Sequence, residues 1–268
     1  MRHLQEGTHI NVLYETTDKG KVIEFVNPPG AEPNRHKHNE RRFIQGLMNK
    51  KGIIFDFNGT LLWDTHLHNM AWDNFFKEHG FFLSDEEKHQ KMHGRLNKEI
   101  LAELFGDSLT EAEIKHYSLE KEYEYQRMCT ELKDFSLAEG VTELFEKLAE
   151  RNIPFVIATA SGIENVEFYI RQLKLDRWFR REHIIYNDGS MRGKPFPDLF
   201  LKAIDVLGID SKNVIIFEDS VSGIKAAESA AAGKIVIVDS NNSDYKAWEG
   251  RYPIIRHFNE VNWDWFEG

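Results

Sequence analysis

The chain has 268 residues, 41% of them hydrophobic, which is enough for one large domain or two modest ones with packed cores. Its 44 Asp and Glu outnumber 34 Lys and Arg, for a net charge of −10, and this balance argues against non-specific nucleic-acid binding because a phosphate backbone repels it. The single cysteine, Cys129, excludes an internal disulfide and a thiolate metal site, and no apolar run approaches the roughly 20 residues that span a bilayer.

The N-terminus, MRHLQEGTHINVLYE, lacks the apolar stretch of a signal peptide, so cytoplasmic residence is the default expectation. Residues 1–50 read as an extension of unknown role. Val12-Leu13-Tyr14 and Val22 to Val26 predict two short strands around the turn Asp18-Lys19-Gly20. The breaker run Asn27 to Pro33 and a polar stretch follow, in which His36 and His38 read as solvated residues. Met48-Asn49-Lys50-Lys51, just ahead of a strong strand, reads as a natural protein start.

From Lys51 strands and helices alternate. Gly52 to Phe57, Pro154 to Thr159, Asn213 to Asp219 and Lys234 to Asp239 are continuous apolar runs, with a shorter one at His183 to Tyr186. Such runs suit strands buried on both faces of a parallel sheet. Between them, Val141, Leu144, Phe145 and Leu148 mark one apolar helix face. A second helix runs from Leu199 to Leu207 and stops at Gly208, and a third is expected to start at Ser222 and run to Gly233. The pattern predicts an α/β fold with a doubly wound parallel sheet, Rossmann-like, at residues 51–64 and 136–268.

Residues 65–135 break the alternation. Amphipathic patterns at Ala71, Phe75 and Phe76, and at Ile100, Leu101, Leu104 and Phe105, predict helices with no strand. They read as a helical cap inserted between two hinges, near Trp63-Asp64 and Asp134-Phe135-Ser136. The acidic run Asp85-Glu86-Glu87 and the stretch Glu120 to Glu124 read as solvated helix faces, and Cys129 as a half-buried helix residue rather than a nucleophile.

In an open α/β sheet the ligand sits at the carboxyl ends of the strands. The polar residues there are Asp56, Thr159, Glu218 and Asp219, joined by Lys194 from the loop Arg192-Gly193-Lys194-Pro195. Converging carboxylates with Mg²⁺ and one lysine suit phosphoryl chemistry. An Asp there can attack phosphorus to give an aspartyl phosphate that water later hydrolyses.

These residues carry a resemblance. Asp56-Phe57-Asn58-Gly59-Thr60-Leu61 resembles the D-x-D-G-T-L motif of the haloacid dehalogenase-like superfamily. Thr159 is similar to its second motif, Lys194 in Gly-Lys-Pro-x-Pro-Asp to its third, and Glu218-Asp219-Ser220 with Gly223 and Ala226-Ala227 to its fourth. His68 with Ala71-Trp72 resembles the start of the cap in the β-phosphoglucomutase-like subgroup. The resemblance spans roughly Lys51 to Asp239. It implies a magnesium-dependent hydrolase, a phosphatase, acting on a small phosphorylated metabolite, with no nucleic-acid or membrane partner. The oligomeric state is not legible.

The roles it implies run residue by residue. Asp56 is the nucleophile and a metal ligand, and the backbone carbonyl of Asn58 completes part of the metal shell. Thr159, with the backbone amide of Ala160, holds the phosphoryl group. Lys194 pairs with Asp56 and the phosphate, and Asp219, with or without Glu218, holds the magnesium. Gly59 and Thr60 belong to the substrate-facing loop, and His68, Arg95 and Asn97 are the substrate contacts expected from the cap.

One residue departs from the pattern. The family's phosphatases and mutases carry a second Asp where this chain has Asn58. An amide can neither protonate a leaving alkoxide nor activate water, and losing such help costs about 10²–10⁴-fold. The departure points to substrates with a good leaving group such as an acyl phosphate, to a proton from another group such as His68, to phosphonate or carbon–halogen cleavage, or to a slow enzyme or phospho-ligand binder. On the sequence alone, Asn58→Asp is expected to raise ordinary phosphatase turnover.

Overall fold

A computed structural model describes the backbone of residues 12–16 and 22–26, and residues 50–84, 87–88, 92 and 95–267. The chain divides into a unit of residues 1–49 and a unit of residues 50–268. In the first, β1 (Val12–Thr16) and β2 (Val22–Val26) pair antiparallel with Val12 opposite Val26, as the sequence predicts. The turn between them, His36, His38 and Met48 lie outside the described residues, as do Asp85 and Glu86.

The second unit is built on a six-stranded sheet. Its strands are β3 (Gly52–Phe55), β4 (Phe155–Thr159), β5 (Ile184–Tyr186), β6 (Val214–Glu218), β7 (Lys234–Val238) and β8 (Ile254–Ile255). They lie in the order β5-β4-β3-β6-β7-β8, every neighbouring pair parallel. Alternate side chains point to opposite faces. Ile53, Phe55, Ile157 and Phe217 thus join one core with α4 (Val141–Glu150) and α5 (Ile163–Leu173). Ile54, Val156, Ala158 and Ile216 join the other with α6 (Asp198–Leu207) and α7 (Val221–Ser229). Both faces are therefore covered, which is why the strands read as unbroken apolar runs.

Residues 65–131 carry α1 (Thr65–His79), α2 (Asn97–Phe105) and α3 (Glu111–Glu131), with no strand among the described residues. Trp72, Phe75, Phe76, Ile100 and Leu101 form a separate small core there. Cys129 is fully buried on α3, and burial pushes its thiol up to about 12.

Cys129 is thus fully buried where half-burial was expected, and two further expectations need correction. The N-cap of α7 is Ser220, not Ser222: the Ser220 hydroxyl accepts from the Gly223 amide at 3.0 Å. That helix stops at Ser229 rather than Gly233, because Ala231 takes a left-handed φ of 55° and the Gly233 amide turns to the Ser211 carbonyl. The second correction concerns Glu120 to Glu124. Within that stretch the side chains of Lys121 and Glu122 are only 2% and 15% exposed. They turn inward because each meets a partner of opposite polarity, as described below.

Candidate active site

Parallel strands bring their carboxyl ends to one edge, and three of them, β3, β4 and β6, deliver polar residues there. Asp56 follows β3, and its backbone amide still bonds the Phe217 carbonyl of β6 at 3.0 Å. The chain then turns sharply: Gly59 adopts φ 83°, and its amide donates to the Leu62 carbonyl at 2.7 Å. A Cβ on Gly59 would lie 2.2 Å from an Asp219 carboxylate oxygen, so only glycine fits. Glu218 ends β6, Asp219 follows, and Thr60 donates to Asp219 at 3.1 Å. Gly223 plays a similar part behind them, since a Cβ there would lie 1.7 Å from Glu218 Oε1.

Lys194 reaches into this group from the loop before α6. The residue is 2% exposed, and its ammonium donates to Asp56 Oδ1 at 2.5 Å and also contacts Glu218 Oε1. The other Glu218 oxygen accepts from the Ser220 amide at 2.6 Å and the Ser220 hydroxyl at 3.1 Å. Oxygens of Asp56, Glu218 and Asp219 lie within 4.8 Å of one another. Three carboxylates, those of Asp56 and Glu218 buried and that of Asp219 half-buried, thus face one ammonium. Burial raises the Asp56 pKa to about 7, with Lys194 opposing the shift and Glu218 adding to it. Burial, then the charges of Glu218 and Asp56, pushes Asp219 well up. Burial works against the Lys194 charge, but Asp56 and Glu218 outweigh it and hold its pKa above the ordinary lysine value.

The donor set fits a hard divalent cation. Asp56 Oδ2 is buried, and among the described residues nothing donates to it. A buried carboxylate oxygen without a donor is costly. Beside Asp219, in a cluster with more carboxylates than cations, it suits an oxygen-ligated divalent cation.

Asn58 sits beside this group and is tightly held. Its Nδ2 donates to Asp64 Oδ2 at 2.7 Å and to the Tyr169 hydroxyl at 2.8 Å. Its Oδ1 accepts from Ser161 Oγ at 2.8 Å and Thr159 Oγ1 at 3.4 Å. Asp64 is buried and also accepts from the Gly59 amide at 3.2 Å and from the Tyr125 hydroxyl. Burial works against its charge; contacts from His68, Tyr125 and Asn58 outweigh it and hold the carboxyl below the usual range. His68 stacks on Tyr125, with ring centres 3.8 Å apart and planes 4° apart. Its Nδ1 lies 2.7 Å from the Lys121 ammonium, and its Nε2 lies 3.4 Å from Asp64. An ammonium only donates, so Nδ1 accepts and Nε2 carries the hydrogen toward Asp64.

Above the carboxylates opens a cavity of about 560 Å³, walled by α1 to α3 on one side and the sheet edge on the other. Residues 50–231 match the haloacid dehalogenase-like hydrolase family. The chain belongs to this family. A phosphorylated carbohydrates phosphatase of Thermotoga maritima is 26% identical over 74% of the chain and 89% of its own length. A probable pseudouridine-5'-phosphatase of Drosophila melanogaster is 30% identical over 72% of the chain and 84% of its own length. The crystal structure of a family IA, variant 3 haloacid dehalogenase hydrolase from Entamoeba histolytica superposes with a TM-score of 0.72 at 36% identity, covering 81% of the chain and 97% of that protein.

The chain is thus a hydrolase of the haloacid dehalogenase-like family, on the doubly wound fold that its sequence implies. The structure brings Asp56, Asn58, Thr159, Ala160, Lys194, Glu218 and Asp219 to the cavity wall, with His68, Arg95 and Asn97 opposite. Gly59 and Thr60 stand behind it, shaping the loop and holding Asp219. Arg95 is engaged by Glu103 at 2.8 Å and Glu99 at 3.6 Å. Asn97 donates to Glu122 at 2.6 Å, and Asn165 does so at 2.7 Å.

In this haloacid dehalogenase-like hydrolase, sequence reasoning missed Asp64, Lys121, Glu122, Tyr125, Ser161, Asn165 and Tyr169. A partial signal existed. Asp64 and His68, like Lys121 and Tyr125, are four residues apart, a spacing that places both members on one helix face.

Proposed function

We propose that this hydrolase is a magnesium-dependent phosphatase of a small phosphorylated metabolite, working through an aspartyl phosphate on Asp56. The observation that carries this is the Asp56 carboxylate, with Oδ1 held by Lys194 at 2.5 Å and Oδ2 buried without a donor, at the floor of the cavity. The relatives named as phosphatases of phosphorylated carbohydrates and of pseudouridine-5'-phosphate support the substrate class.

In this reading Asp56 attacks phosphorus. The Asp56 O–P bond forms as the ester P–O bond breaks, and the electron pair leaves with the substrate oxygen. Water then attacks the same phosphorus, releasing inorganic phosphate and restoring Asp56. Lys194 and Thr159 hold the phosphoryl oxygens, with the Ala160 amide beside them. Asp56, Asp219 and the Asn58 carbonyl would hold Mg²⁺, which supplies charge neutralisation to the phosphoryl group. Glu218, with both oxygens hydrogen-bonded, serves as the anchor of Lys194. Residues 65–135 act as the cap that closes over the cavity, with residues 51–64 and 136–268 as the core. Asn58 favours a second reading, a phospho-ligand binder on the same fold.

Phosphate release from a panel of sugar, acyl and aryl phosphates, with magnesium or with chelator, separates the two. Magnesium-dependent release from any member supports the phosphatase. Tight retention of substrate without release supports the binder.

The metal assignment has its own test. In metal-free protein the raised pKa of Asp56, about 7, lets the folded state keep a proton that the unfolded chain has already lost. Stability contributed by this group therefore falls as pH rises from about 4, the ordinary carboxylate value, to about 7. Magnesium must displace that proton, so its stabilising effect grows with pH. Thermal melts with and without magnesium are expected to show a small upward shift at pH 5.5 and a larger one at pH 8. A shift of the same size at both would remove Asp56 from the metal site.

A further inference from the structure

The Asn58 side chain has its two ends assigned by its neighbours. Asp64 Oδ2 lies 2.7 Å from Nδ2 and also faces the Tyr125 hydroxyl and His68 Nε2, while its partner Oδ1 accepts from the Gly59 amide. A carboxylate so placed only accepts, so the end of the amide that faces it must be NH₂. Oδ1 must then face Thr159 and Ser161, where it takes their hydroxyl protons at 3.4 and 2.8 Å. His68 Nε2 also lies 3.2 Å from Nδ2, but it carries its own hydrogen, so the two Nδ2 hydrogens go to the nearer acceptors, Asp64 and Tyr169 at 2.8 Å. Residue 58 therefore presents an acceptor to the phosphoryl loop and has no hydrogen left for a leaving oxygen.

The same geometry says what an Asp at 58 would meet. Its carboxylate oxygen would replace Nδ2 and lie about 2.7 Å from Asp64 Oδ2, with no hydrogen between them. Two acceptors at that separation in a buried site repel. Two ionised carboxylates exclude one another there, and acids at both positions would have to hold a proton between them, unavailable to a leaving oxygen, so the two positions form one unit.

We propose that Asp64 is a positioning residue that locks Asn58 as an acceptor toward Thr159 and Ser161, and that the pair tunes the enzyme to phosphates with a good leaving group, such as acyl or anomeric phosphates. This rests on the phosphatase reading for its substrate part and on geometry alone for the pairing. It also revises the expectation from sequence: Asn58→Asp alone gains little, because Asp64 remains opposite.

The test is a cycle of Asn58→Asp, Asp64→Asn and the double variant, in the full chain. Two readouts are taken: denaturant unfolding without metal, and turnover on an alkyl and an acyl phosphate with magnesium. The double variant restores a donor–acceptor pair with its polarity reversed. It is expected to be more stable than the sum of the single changes allows. It is also expected to raise alkyl phosphate turnover by about 10²-fold over the unmodified chain, the lower end of general acid–base gains. Acyl phosphate turnover should change far less, a split that a purely structural role for Asp64 would not produce. Additive stabilities, or a full alkyl phosphate gain in Asn58→Asp alone, overturn the proposal. If the unmodified chain releases no phosphate from either ester, the phosphatase reading fails, and the unfolding cycle still decides the pairing.

Discussion

Asp56→Asn is expected to abolish phosphate release, by on the order of 10⁴- to 10⁶-fold, the range seen when an enzyme loses its nucleophile. The amide keeps the shape of the carboxylate, so the cavity and the β3–β6 pairing remain. It cannot form a phosphoryl ester that water turns over. The effect on stability runs the other way. Asp56 lies among Glu218 and Asp219 with one ammonium for all three, and its pKa of about 7, raised by burial first and by Glu218 after it, marks how unfavourable its charge is there. Replacing it with a neutral group should leave metal-free stability at pH 8 unchanged or higher. Single-turnover phosphate release, thermal melting and intact mass after quenching check this together. Unmodified protein quenched during turnover should carry one phosphoryl group, and the variant none. Retained turnover in the variant would move the nucleophile elsewhere.

The sheet was legible because it is buried on both faces. Ile53-Ile54-Phe55 and Val214 to Phe217 are unbroken apolar runs for that reason, and strand burial explains them without appeal to the site. Strand ends were less legible. Asp56 and Phe57 read as strand continuation, yet the left-handed turn at Gly59 takes them out of the ladder. β8 was missed because two residues, with Ile254 facing solvent, leave no periodic signal. The placing of polar residues at the sheet edge followed from the strand ends themselves, hence Asp56, Thr159 and Asp219. The surroundings of Asn58 did not. Asp64, Tyr125 and Tyr169 come from a loop and two helices that are distant in sequence and meet only in the folded chain. Lys121 and Glu122 read as solvated because charge patterning assumes water as the partner; here His68, Asn97 and Asn165 take that place. Asn58 was visible as a departure, but its meaning lay in the carboxylate it faces.

Lys194→Met is expected to damage both activity and stability, and pH separates the two effects. The ammonium bridges Asp56 and Glu218 and lies over Phe200, with Nζ 5.1 Å from the ring centre. Methionine fills much of the same volume against that ring, so little packing is lost. What goes is the positive charge. Removing one partner of a buried ion pair costs about 3–5 kcal/mol, because the carboxylates left behind are uncompensated. That cost applies only while they are charged. Without Lys194, the cation that opposes the rise in the Asp56 pKa is absent, so Asp56 and Asp219 hold protons to higher pH in the folded variant. The folded variant thus binds more protons than its unfolded chain over a wider window, and its stability must fall as pH rises through that window. Urea unfolding in chelator should show a small difference from the unmodified protein at pH 5.5 and the full loss at pH 8. Magnesium should recover part of it, since a divalent cation offsets the same carboxylates. Turnover should still fall by about 10²–10³-fold with magnesium present, because the phosphoryl oxygens lose a fixed donor that the metal does not replace. Equal stability of the two proteins at both pH values would mean that the ammonium does not neutralise this cluster. Lys194 would then be a packing residue, and Asp56 would need another source for its charge balance.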